Sequence, residues 1–372
     1  MESPKKILLV QLYSNGDCLY ATAVARQVKH DFPGCALTWA IADFCRDIIA
    51  GNPFVDNVVI VHEVKKDDVT AFRKLRQKFY KEKKAGTWDE VFITQNMDSN
   101  LANYDGTIRG MIFSAYPNPI TVPVQPVLEL SSEEKNNVAN FAGKNKLSSF
   151  KNIILWEYAP QSGQSVLHVD FVMQLAQRII QLPSTAIILS SATRFSSTEK
   201  IIDASVLSLR ENAALTHYCN LLIGCSSGIT WISTCSSAKQ LPMVQLLNPT
   251  AVFLNAPSVD FARYGIDATQ LMEITHINEE TVYQCIRTIQ ENNFAEAKKQ
   301  FNEVLPVQFN TTRIIVYNLL CYLQFGAIAR HCLINMAMYG RRWSFFKQLL
   351  LGIVTFPFKL IGNIWRKRIY RM

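Results

Sequence analysis

Short polar turns that follow apolar runs carry most of the chemistry this sequence could perform. The first turn, Ser14-Asn15-Gly16-Asp17, separates the apolar run Ile7–Leu12 from a helical segment. A carboxylate at a helix start either caps the helix and compensates its dipole or acts as a general base in a cleft. The glycine allows a ligand to approach the backbone closely. Both interpretations of Asp17 remain open, with Ser14, Asn15 and Gly16 as further candidate cleft residues.

Two more turns combine glycine with small polar side chains. One follows the apolar run Asn152–Trp156, and the other follows Leu221–Gly224 and opens a helix. Such turns leave backbone N–H groups available to phosphate oxygens, although a plain polar loop and a serine helix cap are the alternatives. Their occurrence in one α/β segment favours phosphate binding at both. The candidate residues are Ser162, Gly163, Gln164, Ser165, Ser226, Ser227 and Gly228.

The last of these turns also fits the G-x-S-x-G elbow of hydrolases, with Ser226 as nucleophile. His276 follows it, and Asp260 and Asp267 lie between, so the order of a catalytic triad is available. The rest of the chain predicts two tandem domains instead of one hydrolase sheet, which disfavours this interpretation. P-loop and zinc-protease motifs are missing from the sequence, and no two aspartates lie two residues apart. We therefore expect no bound metal and no cofactor.

Alternating strand-like and helix-like segments position the first turn. Predicted strands are Ile7–Leu12, Ala36–Ala42, Val58–Val61 and Glu90–Thr94, and predicted helices are Cys18–His30, Phe44–Ala50 and Val69–Lys84. This order predicts a parallel sheet with helices on both faces. Residues 114–129 contain four prolines and are expected to form an extended crossing segment, followed by a helix over Ser131–Ala142.

The same alternation resumes in the second half. Predicted strands are Asn152–Trp156, Thr185–Ser190, Val206–Leu209, Leu221–Gly224 and Met243–Leu247, and predicted helices are Asp170–Gln181, Ala213–Asn220 and Gly228–Thr234. We predict two Rossmann-like domains, residues 1–148 and 149–303, followed by a tail over residues 304–372.

The charge of the chain is concentrated in that tail. No Asp or Glu follows Glu303, whereas ten of the 38 Lys and Arg residues do. The other 28 basic residues face 30 acidic ones, so the body is slightly acidic and nucleic-acid binding is disfavoured. The nine cysteines form no CxxC pair and mostly lie in apolar runs. Together with a start that does not resemble a signal peptide, they predict a cytoplasmic protein.

The tail alternates basic and aromatic residues with apolar clusters, as in RRWSFFKQLLL. Its longest uncharged run, Ile314–Ala329, has 16 residues, fewer than the roughly 20 that span a bilayer. The composition is typical of amphipathic helices that lie on an anionic membrane surface. The alternative for Ile314–Ala329 is packing back onto the N-terminal domain.

The opening of the chain resembles glycosyltransferase family 9, the lipopolysaccharide heptosyltransferases. The resemblance is carried by a first strand, a turn ending in Gly16-Asp17, a helix ending near Phe-Pro-Gly, and the later Asn-Pro-Phe-Val-Asp. The segment GCSSGITW resembles that family's Asp-Ser/Thr-Gly-x-x-His block. The resemblance extends over about residues 5–300. Ser226 stands where the family has Asp, and Trp231 stands where it has His.

The resemblance implies a GT-B fold, in which two Rossmann-like domains face each other across a cleft. It further implies an inverting mechanism without an essential metal, a donor bound mainly by the C-terminal domain, and Asp17 as the base. Arg194 is the candidate cation for the leaving diphosphate, and Glu199 is the nearest candidate for the acid that meets the donor ribose.

These observations together predict a glycosyltransferase. It would move a sugar from a nucleotide-sugar donor to a lipid-linked or lipopolysaccharide-type glycan, peripherally on the inner face of a bacterial inner membrane. Three alternatives stay open. They are a GT-B sugar-nucleotide epimerase, another saccharide-modifying transferase such as a pyruvyltransferase relative, and a non-catalytic membrane-bound scaffold.

Overall fold

The computed structural model describes residues 3–66, 68–158, 167–191, 193–251 and 256–369, and it describes side chains as far as residue 360. The first sheet is formed by β1 (Lys6–Val10), β2 (Ala36–Ile41), β3 (Asn57–Ile60) and β4 (Glu90–Ile93), with helices α1 (Asn15–Asp31), α2 (Val69–Lys84) and α3 (Ile108–Phe113). The strands lie in the order β3-β2-β1-β4, and all pairings are parallel. The four strands and the parallel sheet predicted for this half are confirmed.

Helix α1 begins at Asn15, three residues before the predicted start, so Asp17 lies in its first turn. Ser14 reverses the chain with a φ of +67°, and its carbonyl accepts a hydrogen bond from the backbone N–H of Cys18 at 2.9 Å. The predicted helix over residues 44–50 is a 3₁₀ helix, Asp43–Ile49. Of the four residues in the first polar turn, only Ser14 therefore precedes the helix, and the candidate base Asp17 lies on the helix itself.

The second sheet contains six parallel strands in the order β10-β9-β8-β5-β6-β7. They are β5 (Asn152–Glu157), β6 (Thr185–Ser190), β7 (Ile201–Asp203), β8 (Leu221–Gly224), β9 (Met243–Leu246) and β10 (Leu271–Ile274). The predicted strand over residues 206–209 is wrong. Ile201 and Ile202 pair with β6 and are buried, whereas Val206 is exposed in a turn. The strand that pairs with β6 therefore begins five residues earlier than predicted.

Helices connect and flank these strands. Between the sheets lies α4 (Ser132–Lys144), and the second domain contains α5 (Val169–Ile179), α6 (Glu211–Leu215), α7 (Gly228–Ile232), α8 (Pro257–Arg263), α9 (Glu279–Glu291) and α10 (Phe294–Phe301). Ser131 and Glu134 form a capping box at the start of α4. Glu134 also accepts a hydrogen bond from Arg210 Nε at 2.6 Å, and Arg210 reaches the carbonyls of Asp47 and Ala50. Arg210 therefore joins the two domains.

The tail folds into α11 (Asn310–Cys321), α12 (Phe325–Tyr339) and α13 (Trp343–Ile369). The uncharged run is interrupted at Leu323, which has a φ of +53°. His331 Nδ1 lies 3.2 Å from the carbonyl oxygen of Ala102, and Asn335 Nδ2 donates to the carbonyl of Tyr104 at 3.1 Å. Within the run itself, Ile315 and Leu319 are buried against Ala102, Tyr104 and Met111, so the structure adopts the alternative in which the run packs back onto the N-terminal domain.

Helix α13 packs along α11. A Cβ at Gly352 would lie 3.0 Å from Cβ of Val316, so the small residue permits the close approach of the two helices. Phe345 is buried on this side. Within the described residues, no helix combines the length and apolarity needed to cross a bilayer.

Candidate functional site

The side chain of Asp17 lies at the carboxyl edge of the first sheet, where ligands bind in open α/β folds. Asn96, which follows β4, donates a hydrogen bond from Nδ2 to Asp17 Oδ2 at 3.0 Å. Burial raises the pKa of Asp17 to about 7, while the Asn96 hydrogen bond and the charge of Lys66 partly oppose that increase. A carboxylate with a pKa near neutrality is suited to accept a proton from a substrate hydroxyl.

Two polar atoms next to Asp17 lack hydrogen-bond partners in the part of the chain that the structure describes. Asn15 Oδ1 and Asn96 Oδ1 are buried without a hydrogen bond to any described residue. Buried polar atoms are nearly always paired with protein, water or ligand. The surroundings of Asp17 therefore have hydrogen-bonding capacity left for a polar ligand.

An interdomain cavity of about 590 Å³ begins beside this turn. Its walls come from residues after β1, after β2 and after β7, so the carboxyl edges of both sheets contribute. The lining includes Asn15, Phe44, Asp47, Glu129, Glu134 and Arg210. This size is typical of small-molecule sites in proteins, which commonly lie at domain interfaces.

The turn at residues 226–228 points inward. Ser226 has a φ of +52°, is buried, and donates its backbone N–H to Gln245 Oε1 at 2.8 Å. The Ser227 hydroxyl donates to the carboxylate of Glu157. Gly228 starts α7 and faces Leu209, which lines the cavity. The Ser226 backbone N–H and the Ser227 hydroxyl thus have partners within the protein, and phosphate binding at this turn stays a prediction.

Glu157 is the residue that organises this turn, and sequence reasoning missed it. The last residue of β5, it is buried and accepts hydrogen bonds from the backbone N–H groups of Cys225 (3.2 Å) and Ile229 (3.1 Å). Thr230 Oγ1 donates to it at 2.9 Å. An internal carboxylate therefore accepts hydrogen bonds from groups of the turn that was expected to bind phosphate. The sequence feature that could have indicated this residue is the glutamate directly after the apolar run NIILW.

The other predicted donor residues do not gather in one place. Arg194 is exposed in the segment after β6. Glu199 is exposed two residues before β7, which puts it at the amino end of a parallel strand, away from the cleft edge. The structure thus separates Glu199 from Arg194. The residues Ser162, Gly163, Gln164 and Ser165 lie outside the described part of the chain.

Trp231 is a domain-interface residue in the structure. Its ring lies 5.0 Å from that of Tyr20 on α1, and a Cβ at Gly16 would be 3.6 Å from its Cδ1. Its Nε1 donates to the carbonyl of Ser226 at 3.3 Å. Buried in this way, Trp231 holds the Asp17 turn against the second domain. Gly16 is the position at which the two elements approach each other.

The structure does not support the Ser-His-Asp arrangement that the hydrolase alternative requires. Ser226 is buried, and Asp260 forms an ion pair with Arg109 at 3.1 Å. His276 lies beside Glu303, and the exposed Asp267 accepts hydrogen bonds from Thr269. Asp260, Asp267 and His276 thus each contact a partner outside the triad. Within the described residues, no cluster of three or more His, Cys, Asp or Glu side chains has a metal-binding arrangement.

Comparison with known proteins gives the class of fold. No protein-family profile matches this chain. No curated protein matches it either. Among solved structures, the glycosyl transferase family 9 protein from Veillonella parvula DSM 2008 superimposes with a TM-score of 0.53 at 16% identity, over 80% of this chain and 94% of that one. Escherichia coli ADP-heptose lipopolysaccharide heptosyltransferase II gives a TM-score of 0.50 at 16% identity, over 77% and 99%.

The chain therefore has the GT-B fold, with two Rossmann-like domains that face each other across a cleft. The structural neighbours are members of the family that the opening of the sequence resembles, which confirms that prediction at the level of the fold. At this identity the likeness concerns architecture, and the chemistry has to be argued from the site.

Proposed function

We propose that this protein is a glycosyltransferase that moves a sugar from a nucleotide-diphosphate donor to a glycan acceptor, with Asp17 as the general base. The observation that carries the proposal is the environment of Asp17. It is a carboxylate with a pKa of about 7, at the cleft edge of a GT-B fold, beside hydrogen-bonding atoms that the described protein leaves unpaired. These features suit proton abstraction from an acceptor hydroxyl.

In the proposed reaction, the acceptor oxygen attacks the anomeric carbon of the donor sugar while its proton passes to Asp17. The bond from that carbon to the diphosphate oxygen breaks on the opposite face, so the configuration inverts. Asn96 holds the Asp17 carboxylate in place through its hydrogen bond. The negative charge on the departing diphosphate is met by backbone N–H groups and cations, without a metal ion.

The proposed donor site contains fewer residues than the sequence predicted. Arg194 and residues 162–165 remain the proposed phosphate contacts. Because Glu157 already engages Ser227 and the N–H groups of Cys225 and Ile229, we assign residues 226–228 to shaping the cleft. Gly228 contributes through Leu209, which it faces at the cavity wall.

A donor panel tests the reaction. Purified protein is incubated with nucleotide sugars and simple glycan acceptors in the presence of a chelator, and release of nucleoside diphosphate is measured. We expect release from at least one donor, and we expect Asp17→Asn to lower the rate by roughly 10²- to 10⁴-fold with donor affinity unchanged. Asp267→Asn, an exposed site in the second domain, is the matched control. An Asp17→Asn rate equal to wild type contradicts the assignment.

We further propose that the tail holds the protein on an anionic membrane, where a lipid-linked acceptor is presented. In α13, the side chains of Trp343 and Phe358 are 77% and 74% exposed, and Leu350 and Val354 between them are exposed as well. Their spacing of seven, four and four residues forms one stripe along a helix. With ten basic and no acidic residues after Glu303, the tail matches a negatively charged surface.

Vesicle flotation tests this attachment. Full-length protein should float with phosphatidylglycerol vesicles and not with pure phosphatidylcholine, and salt should weaken the binding. A Trp343→Ser/Phe358→Ser pair should lower the bound fraction several-fold. The matched control is Tyr80→Ser/Val206→Ser, two exposed apolar residues outside the tail. Flotation that is equal in both pairs, or indifferent to lipid charge, rules out attachment through this stripe.

A further inference from the structure

We propose that the interdomain cavity is an acceptor subsite in which an uncharged sugar ring stacks on Phe44. Phe44 is then a specificity-determining residue, and the proposal rests on the proposed function only in calling the bound saccharide the acceptor. Three independent features of the cavity carry it: an aromatic ring at its mouth, a polar atom without a partner, and the balance of charge on its walls.

Phe44 offers a flat apolar surface to the cavity. It belongs to the 3₁₀ helix after β2, is 66% exposed, and lines the cavity wall. Its ring stacks on that of Tyr13 with centroids 5.8 Å apart and planes 16° from parallel. Single exposed aromatic residues are common, but this one is held by a second ring and aimed at a concave space. The C–H face of a pyranose is a matching partner for such a ring.

Asn15 supplies the polar contact at the same place. It lines the cavity, and its buried Oδ1 has no hydrogen-bond partner among the described residues. A sugar hydroxyl can donate to this oxygen and remove the cost of leaving it unpaired. Asn15 stands two residues before Asp17 in the same helical turn. Asp17 is not itself among the residues that line the cavity, so a sugar that contacts Phe44 and Asn15 is held within one helical turn of the proposed base.

The charge of the cavity argues for a neutral ligand. Among its lining residues are three carboxylates, Asp47, Glu129 and Glu134, and one cation, Arg210. Arg210 is already engaged by Glu134 and by backbone carbonyls. A phosphate or carboxylate on the sugar would face Asp47 and Glu129 without an available cation from the cavity wall. The cavity is accordingly assigned to sugars without an acidic substituent.

Ligand-observed NMR on the full-length protein without donor tests this subsite. The probes are methyl glycosides of glucose, galactose and mannose, and glucose phosphate is the anionic comparison. We expect at least one neutral glycoside to bind saturably and glucose phosphate to bind more weakly. Phe44→Ala should weaken that binding about tenfold, and Phe44→Tyr should restore it. Tyr80→Ala removes an aromatic ring that is 50% exposed on α2 and should change nothing.

Calorimetry with nucleoside diphosphates on the same samples separates the two proposals. Glycoside binding that depends on Phe44 in a protein that binds no nucleotide supports the saccharide subsite while removing the transferase proposal. Nucleotide binding with glycoside affinity equal in wild type and Phe44→Ala overturns the subsite alone. Binding of glucose phosphate as tight as that of the neutral glycosides also overturns it.

Discussion

Each of the two sheets presents a carboxylate at the end of a central strand, and the two differ in how many hydrogen bonds they accept. Among the described residues, Asp17 after β1 accepts one side-chain hydrogen bond, from Asn96. Glu157 at the end of β5 accepts four, from two backbone N–H groups and two hydroxyls. Burial raises the pKa of Asp17 to about 7, whereas Glu157 holds a turn through its four hydrogen bonds.

This comparison shows that position at a cleft edge does not by itself make a group catalytic. Both residues occupy the edge at which open α/β folds bind ligands. Burial with few donors raises the pKa of a carboxylate, as it does at Asp17. We therefore place the proposed base in the N-terminal domain and a preorganised wall of the cleft in the C-terminal domain.

The largest expected effect on stability comes from Glu157. Replacement by Ala leaves two backbone N–H groups and two hydroxyls without their acceptor, at roughly 1–3 kcal/mol for each buried group that water does not reach. We predict that Glu157→Ala lowers the free energy of unfolding by about 3 kcal/mol in chemical denaturation. The exposed Glu199→Ala in the same domain should change it by less than about 0.5 kcal/mol. Equal losses of unfolding free energy in the two variants would contradict the structural role assigned to Glu157.

Replacement of Asp17 should change the free energy of unfolding in the opposite direction to replacement of Glu157. Its folded-state pKa of about 7 exceeds the ordinary value of 3.8, so the folded protein holds the proton more tightly than the unfolded chain. Ionisation of Asp17 therefore costs stability increasingly as pH rises between these values. We predict that Asp17→Asn raises the free energy of unfolding by roughly 1–3 kcal/mol at pH 8 and leaves it unchanged near pH 4. A loss of stability at pH 8 would show that the carboxylate is structurally satisfied, like Glu157.

The smallest effect is expected at Asn96, whose hydrogen bond lowers the pKa of Asp17. Its removal in Asn96→Ala should raise that pKa further, by about half a unit to one unit for a single hydrogen bond. The inflection of the pH–rate profile would move upward by the same amount. An unchanged inflection, in a variant that folds normally, would show that Asn96 does not tune the base.

Local patterns predicted most of the elements of the fold. Apolar runs bounded by Gly, Pro and Asn gave the boundaries of β6, β8 and α2 without error, because strand burial and helix periodicity are properties of neighbouring residues. The prediction of a strand at residues 206–209 was wrong because VLSL has strand-like alternation. The position of β7 is instead determined by its pairing with β6.

The candidate site was only partly predictable. Asp17 follows from its position after β1, but its partner Asn96 lies 79 residues away in the chain. The donors to Glu157 are 68 to 73 residues from it, so nothing local shows that the third polar turn is closed by a carboxylate. Burial of Trp231 against α1 likewise depends on how the two domains meet. Such contacts arise from topology, which a single sequence does not display.

The pH dependence of transfer by the wild-type protein tests the central claim most directly. With the best donor and acceptor from the panel, kcat/KM would be measured between pH 5 and pH 9, because it reports the ionisation of the free protein. A base with a pKa of about 7 predicts a rise of about tenfold per pH unit at low pH, followed by a plateau above neutrality. The Asp17→Asn variant should lack this limb. A rate that is independent of pH through this range, or a limb that persists in Asp17→Asn, would contradict the assignment of Asp17 as the catalytic base.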